Sequence, residues 1–246
     1  MKVIGIIPAR YASTRFPGKP LAMIDGKSMI ERVYQQAKAS RLMEEVLIAT
    51  DDERIAGHVK QFGAPVVMTR AEHPSGTDRC YEAYQVFGKS FDYVLNIQGD
   101  EPFLNPAQID EMAEACDGKN EIITQMTKCQ DAKMLFDMGE VKIVLNQNKE
   151  ALYFSRQVIP AIKNKAQEEW HQHYSYYRHV GMYAYRVDVL EALCKLSPSS
   201  LEQAESLEQL RWLENGFRIK CVETHFDSHG VDTPEDIAKV LALMHK

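Results

Sequence analysis

Thirteen consecutive residues near the start of the chain, Pro8-Ala9-Arg10-Tyr11-Ala12-Ser13-Thr14-Arg15-Phe16-Pro17-Gly18-Lys19-Pro20, carry three cations, two aliphatic hydroxyls, one glycine and three prolines. They follow directly on the apolar run Val3-Ile4-Gly5-Ile6-Ile7, which reads as a buried strand. A cationic loop at the carboxyl end of a strand, leading toward a helix, is where an α/β sheet holds polyphosphate. Cationic loops are also ordinary solvated surface. Here the prolines stiffen the loop, so Arg10, Arg15 and Lys19 are aimed rather than loosely tethered.

Two acidic turns offer the counterpart. Gln98-Gly99-Asp100-Glu101-Pro102 follows the apolar run Tyr93-Val94-Leu95-Asn96-Ile97. An acid at a strand end can hold Mg²⁺, which takes one or two protein carboxylates and completes its shell with phosphates. Gly-Asp and Glu-Pro are equally ordinary turn pairs. Gly230-Val231-Asp232-Thr233-Pro234-Glu235-Asp236 is the second turn. Asp236 suits the start of a helix, where a negative charge meets the dipole. Capping does not account for Asp232. One carboxylate from each turn, Asp100 and Asp232, could share a metal ion across a cleft.

Other polar clusters are less specific. Neither Gly-x-Gly-x-x-Gly nor a Walker A loop is present. His73-Pro74-Ser75-Gly76-Thr77-Asp78-Arg79 is a small-residue turn whose backbone could approach a flat base, or a helix start capped by Thr77. Helix capping suffices for Asp51 and Asp52. In Arg178-His179-Val180-Gly181-Met182-Tyr183, His179 and Tyr183 share parity and face one side of a strand. Arg156 could fork onto a substrate carboxylate or lie on the surface. Glu208 and Gln209 flank an apolar helix stripe. His171, His173, His225 and His229 lack metal-ligand spacing.

The bulk properties narrow the class. With 246 residues, 45% hydrophobic and 26% charged, the chain has an ordinary globular balance and one large or two unequal domains. A net charge of -6 supplies no global basic field for nucleic acid or an anionic membrane. Cys80, Cys116, Cys129, Cys194 and Cys221 are widely spaced, as reduced thiols are. No signal peptide or bilayer-spanning run is expected, which points to the cytoplasm.

Strand runs alternate with amphipathic helices up to about residue 115, implying a doubly wound, mostly parallel α/β sheet. Ser28 and Glu31 predict a capping box for the first helix, and Asn105-Pro106 opens another. Strands are expected over 121–127, 141–145, 179–185 and 218–223, with helices at 190–195 and 203–213. The second of these is striped by Ala204, Leu207, Leu210 and Leu213. A final helix begins at Thr233-Pro234, with Ile237, Val240, Leu241 and Met244 inward. The Trp/His/Tyr-rich stretch 163–177 is too aromatic for a solvated linker and reads as an excursion or interface.

The block from Ile7 to Pro20 resembles the motif of the 3-deoxy-manno-octulosonate (Kdo) cytidylyltransferases. The likeness continues in order through Ala49-Thr50-Asp51, Met68-Thr69-Arg70, Ser75-Gly76-Thr77, Asn96 to Pro102, Ala151 to Arg156, Arg178 to Tyr183, Leu207 to Arg211 and Gly230 to Asp236. It spans nearly the whole chain. The first block alone fits any sugar nucleotidyltransferase of the glycosyltransferase-A-like, nucleotide-diphospho-sugar transferase type; the later blocks narrow the likeness to the Kdo branch.

The resemblance implies roles by position. Arg10, Ser13, Arg15 and Lys19 would hold the phosphates of CTP. Pro8, Ala9, Ser75 and Gln98 would line the cytidine site, with Arg79 nearby. Asp100 and Asp232 would bind Mg²⁺. Arg156, His179, Tyr183, Glu208 and Gln209 would hold the sugar acid. It further implies a homodimer supplying lipopolysaccharide synthesis, with residues 1–125 as nucleotide-binding half, 126–225 as sugar-binding and dimerisation part, and 226–246 as closing turn and helix of one domain. The chain departs from the family pattern where Ala161 follows Ile159-Pro160 in place of tryptophan. An 8-amino analogue of Kdo is therefore an alternative substrate, and a cytidylyltransferase for another acidic sugar, such as a sialic acid, is a separate alternative within the same enzyme class. A non-catalytic nucleotide-binding protein on this fold is the alternative outside enzymes.

Overall fold

The computed structural model describes residues 1–13, 15–226 and 230–244, without the side chains of 243 and 244; Thr14, His229 and the inward face expected of Met244 lie outside it. β1 (Val3–Ala9) ends at the cationic loop, which closes through a 3₁₀ turn (Lys19–Leu21) and a short hairpin, β2 (Met23–Ile24) and β3 (Lys27–Ser28). α1 (Met29–Lys38), β4 (Glu45–Thr50), α2 (Glu53–Gln61), β5 (Val66–Met68), α3 (Gly76–Phe87), β6 (Tyr93–Asn96), α4 (Pro106–Glu114) and β7 (Ile122–Lys128) alternate after it. The second half runs α5 (Ala132–Phe136), β8 (Lys142–Leu145), β9 (Ala151–Ser155), α6 (Trp170–His173), β10 (Tyr177–Arg186), α7 (Val187–Leu193), α8 (Ser200–Glu205), α9 (Gln209–Glu214), β11 (Ile219–Glu223) and α10 (Pro234–Met244).

The main sheet has the order β11-β7-β10-β6-β1-β4-β5. β1 pairs in parallel with β4 and β6, and β4 with β5, as apolar strands joined by helical crossovers must. β10 lies antiparallel between β6 and β7, and a branch of β8 and β9 pairs onto its start. The expectation of a mostly parallel α/β sheet holds. One core packs α3, α7 and α9 on one face, through Cys80, Ala83, Leu190, Leu210 and Trp212. The other packs α1, α2 and α4, through Ile30, Val33, Ile55, Val59, Ile109 and Met112.

Several local expectations change. Ser28 caps α1 by accepting the Glu31 amide at 3.2 Å, while the Glu31 carboxylate accepts from Gln35. Ser75, not Thr77, caps α3, because Ser75 Oγ accepts the Asp78 amide at 3.2 Å. The single helix expected over 203–213 is two, α8 and α9, broken where Ser206 adopts φ of 54°. The break buries Leu207 and Leu210 while leaving Ala204 exposed. α5 and β9 were not foreseen. The aromatic excursion folds back on itself: Trp170 and Tyr176 are buried against Cys129 and Leu135.

Candidate active site

The end of β1 opens into a pocket of about 390 Å³ lined by Pro8, Ala9, Arg10, Ser13, Arg15, Lys19, Gln98 and Asp100, with Gly76 and Gly99 between them. The Tyr11 carbonyl accepts the amides of both Ser13 and Gly18 at 2.9 Å and so closes the loop on itself. Gly18, at φ of 73°, turns the chain into the 3₁₀ segment that carries Lys19. Gly99 lets the acidic turn touch β1: a Cβ there would stand 2.8 Å from the Pro8 carbonyl oxygen. Arg10 donates to the carbonyl of His73 and, at 3.4 Å, to that of Ser75, tying the loop to the start of α3.

The two acidic turns meet. The Val231 amide donates to the Asp100 carbonyl at 2.9 Å. The Lys19 ammonium lies 2.8 Å from Asp100 Oδ2 and 3.6 Å from Asp232 Oδ1, and donates to the Val231 carbonyl at 2.9 Å. Arg15 Nη1 is 2.9 Å from Asp232 Oδ2. Both carboxylates thus converge within 4 Å of one cationic position, and they present only oxygen, the donor set that suits Mg²⁺. Asp236 does more than favour a helix dipole. Its carboxylate pairs with Lys239 at 2.7 Å and accepts the amides of Asp232 and Thr233, which holds its pKa far below the usual carboxylate range and fixes the turn.

Of the residues expected around the nucleotide, Ser75 and Arg79 stand back from the pocket wall. Ser75 caps α3 one residue behind Gly76. Arg79 is fully buried, donates to Thr69 Oγ1 at 2.5 Å and pairs with Asp51 Oδ1 at 3.3 Å. Burial, with Arg10 nearby, pushes Arg79 below its ordinary pKa, and Asp51 opposes that shift. Asp52 alone caps α2, accepting the Arg54 amide at 2.9 Å, so Asp51 is a partly buried counter-ion to Arg79 rather than a cap. Gln98 Nε2 donates to the Gly181 carbonyl at 2.7 Å, joining the pocket to β10 where its register slips between Val180 and Tyr183.

The expected sugar residues do not line this pocket; most gather behind it. The His179 and Tyr183 rings lie 5.2 Å apart, and Trp212 packs edge-on to Tyr183 at 5.0 Å. Burial drives His179 down to about 3, so the ring is neutral, and its Nε2 lies 2.9 Å from Thr124 Oγ1. Glu208 accepts from Thr77 Oγ1 at 3.0 Å, and burial raises its carboxyl pKa. Gln209 beside it is buried. Gly76 faces the pocket and the next residue, Thr77, faces Glu208, so the first turn of α3 connects the two groups. Arg156 stands apart: its Nε donates to the Glu205 carbonyl at 2.8 Å and its Nη2 to that of Ser206 at 3.4 Å. Thr77, Thr124, Trp212 and Asp51 were not foreseen. Thr77 and Asp51 were hidden by plausible capping positions, and Trp212 by lying off the apolar stripe.

Comparisons with known proteins agree on one family. The family model described as Cytidylyltransferase matches residues 4–221. The 3-deoxy-manno-octulosonate cytidylyltransferase of Parabacteroides distasonis is 52% identical over 250 residues, 99% of this chain and 98% of the relative. Its counterpart in Cytophaga hutchinsonii is 50% identical over 241 residues, 98% of this chain and 96% of the relative. A solved structure of CMP:2-keto-3-deoxy-manno-octonic acid synthetase complexed with CTP matches with a TM-score of 0.91 at 41% identity, covering 100% of this chain and 99% of that one. A 4-diphosphocytidyl-2C-methyl-D-erythritol synthase from Anaerococcus prevotii, 14% identical with a TM-score of 0.66 over 100% of this chain and 96% of that one, shares the fold.

Proposed function

The chain belongs to the cytidylyltransferase family, among its 3-deoxy-manno-octulosonate cytidylyltransferases, and from that premise we propose how its residues divide the work. The enzyme transfers CMP from CTP to Kdo and releases pyrophosphate. The anomeric hydroxyl oxygen of the sugar acid bonds to the α-phosphorus, the bond from that phosphorus to the bridging oxygen breaks, and the hydroxyl proton passes to solvent.

Arg10, Ser13, Arg15 and Lys19 hold the triphosphate. Their fixed positive charge meets the negative charge that gathers on the non-bridging and leaving oxygens, the kind of electrostatic stabilisation on which phosphoryl-type transfer depends. Pro8, Ala9, Gly76 and Gln98 receive the cytidine, with Ser75 and Arg79 supporting that wall from behind. Asp100 and Asp232, whose carboxylates converge on Lys19, would hold Mg²⁺. That ion would supply positive charge at the α-phosphate and lower the pKa of the attacking hydroxyl. Lys19 then turns from the carboxylates to the phosphates. His179, Tyr183, Glu208 and Gln209 orient the sugar acid from beyond Gln98, and Arg156 meets its carboxylate once its guanidinium leaves the carbonyls of Glu205 and Ser206.

The observation that carries this reading is the convergence of Arg15 and Lys19 on Asp100 and Asp232 at one pocket wall. The direct test is pyrophosphate release from CTP and Mg²⁺ with a panel of Kdo, 8-amino-Kdo and a sialic acid. Release with Kdo that stops on chelation of the metal is expected. Metal-independent turnover overturns the Mg²⁺ assignment.

The proposal extends to a cytoplasmic homodimer that supplies activated sugar for lipopolysaccharide synthesis. Support comes from five free cysteines, from the absence among the described residues of a helix long and apolar enough to cross a membrane, and from exposed Phe136, Met138 and Leu152 in the sugar-side half. Sedimentation at micromolar protein tests the dimer; a monomer there overturns it.

A further inference from the structure

Arg54 does not line the pocket; it sits on the first turn of α2. Its guanidinium forks onto Asp52, Nε to Oδ1 at 2.9 Å and Nη2 to Oδ2 at 2.6 Å. The same guanidinium lies over the ring of Tyr11, its Cζ 3.3 Å from the centroid. Tyr11 is the base of the cationic loop. Its carbonyl takes the amides of Ser13 and Gly18, and its ring edge stands 3.2 Å from where a side chain on Gly18 would begin. Asp52 is fixed separately as the cap of α2. One fork and one stack therefore run from a helix of the scaffold to the residues where the loop leaves and returns.

We propose that Arg54 is a positioning residue for nucleotide binding: through Tyr11 it pre-sets the loop so that Ser13, Arg15 and Lys19 meet the triphosphate already in place. A loop ordered before the ligand arrives gives up less conformational freedom on binding. Arginine suits the task because its planar group can fork onto a carboxylate and stack on a ring together; lysine matches neither geometry. Arg54 needs no contact with CTP to act. The inference rests on the reading that residues 10–19 hold the triphosphate.

The test is calorimetric titration of CTP without sugar acid, alongside steady-state KM and kcat. R54A is expected to weaken CTP binding roughly fivefold, the scale of one ordered cation–ring contact. KM for CTP rises with it, while kcat at saturating CTP stays within about twofold. R54K keeps the charge but loses the fork and stack, and it tracks R54A. Y11F keeps the ring and tracks wild type. Asp52 still accepts the residue-54 amide and caps α2 in R54A, so the melting temperature falls by no more than about 2 °C. Unchanged CTP affinity in R54A overturns the proposal whatever happens to the melting temperature. Full recovery in R54K overturns it too, by assigning the effect to charge alone. K19Q separates the two readings: if K19Q leaves CTP binding unchanged, the triphosphate assignment fails; if K19Q weakens binding and R54A does not, only the clamp fails.

Discussion

The Lys19 ammonium and the Asp100 carboxylate form an ion pair at 2.8 Å, and Asp232 stands 3.6 Å from the same nitrogen. With Arg15 2.9 Å from Asp232, two cations of the phosphate loop face the two acids assigned to the metal. Removing either acid leaves Lys19 and Arg15 in place but deletes a metal ligand. D100N and D232N should each lower kcat/KM for CTP by about 10²–10³, or roughly 3–4 kcal/mol, the scale of losing one key electrostatic contact in a transition state. Initial rates of pyrophosphate release at varied Mg²⁺ check this. A variant within about tenfold of wild type is not a metal ligand.

Two glycines should respond oppositely to alanine. At Gly99 a Cβ would meet the Pro8 carbonyl oxygen at 2.8 Å, so G99A must push the Asp100 turn away from β1. Overpacking of that kind costs about 1–3 kcal/mol, and CTP affinity should fall with it because Asp100 and Gln98 move together. Gly57 lies exposed within α2 with nothing within 4 Å of its Cβ position. G57A should stabilise the protein by about 0.5–1 kcal/mol. Urea unfolding of both variants measures the contrast, and destabilisation by G57A would contradict it.

The local chemistry of the pocket could be read from the chain because it is carried by contiguous residues. Strand, stiff cationic loop and acidic strand-end turn are each written in one short segment, and Arg15, Lys19, Asp100 and Asp232 do come together. What escaped depends on partners far apart in sequence. Asp51 looked like a cap because its neighbour Asp52 is one, and only the fold shows that it faces Arg79. Thr77 looked like a cap for the same reason, yet its hydroxyl reaches Glu208, 131 positions away. The helix over 203–213 had a continuous apolar stripe, and nothing in that pattern marks Ser206 as a left-handed break. The antiparallel place of β10 between β6 and β7 is likewise a choice of topology that alternating patterns do not encode.

His179 should govern part of the acid sensitivity of the fold. Burial depresses its folded pKa to about 3, while the unfolded chain protonates it near 6.5. The unfolded state therefore binds the extra proton first as pH falls, and stability from this group is complete above about pH 6.5 and lost progressively toward pH 3. At pH 5 the loss is about 2 kcal/mol relative to pH 8. H179Q keeps a partner for Thr124 and cannot titrate. The difference between wild-type and H179Q unfolding free energies should shift by that amount between pH 8 and pH 5. Parallel pH profiles would show that the folded state accommodates the charged ring.

The Asp51–Arg79 pair buries a full positive charge. Arg79 is wholly inaccessible and the Asp51 side chain is 19% exposed, so the guanidinium has little water to fall back on. Thr69 Oγ1 satisfies one of its donors but carries no charge. D51N removes the guanidinium's paired counter-ion and leaves only the Glu82 carboxylate acting on it; it should destabilise the protein by about 3 kcal/mol, the scale of breaking a buried pair from one side. R79M alone strands the carboxylate at a site that retains some water, and should cost less. In the double variant no charge remains to be stranded, and methionine fills most of the arginine volume. Its unfolding free energy should exceed that of D51N, giving a positive coupling in the double-mutant cycle. A double variant less stable than D51N would mean that packing and the Thr69 contact, rather than the ion pair, hold Arg79 beneath the nucleotide wall.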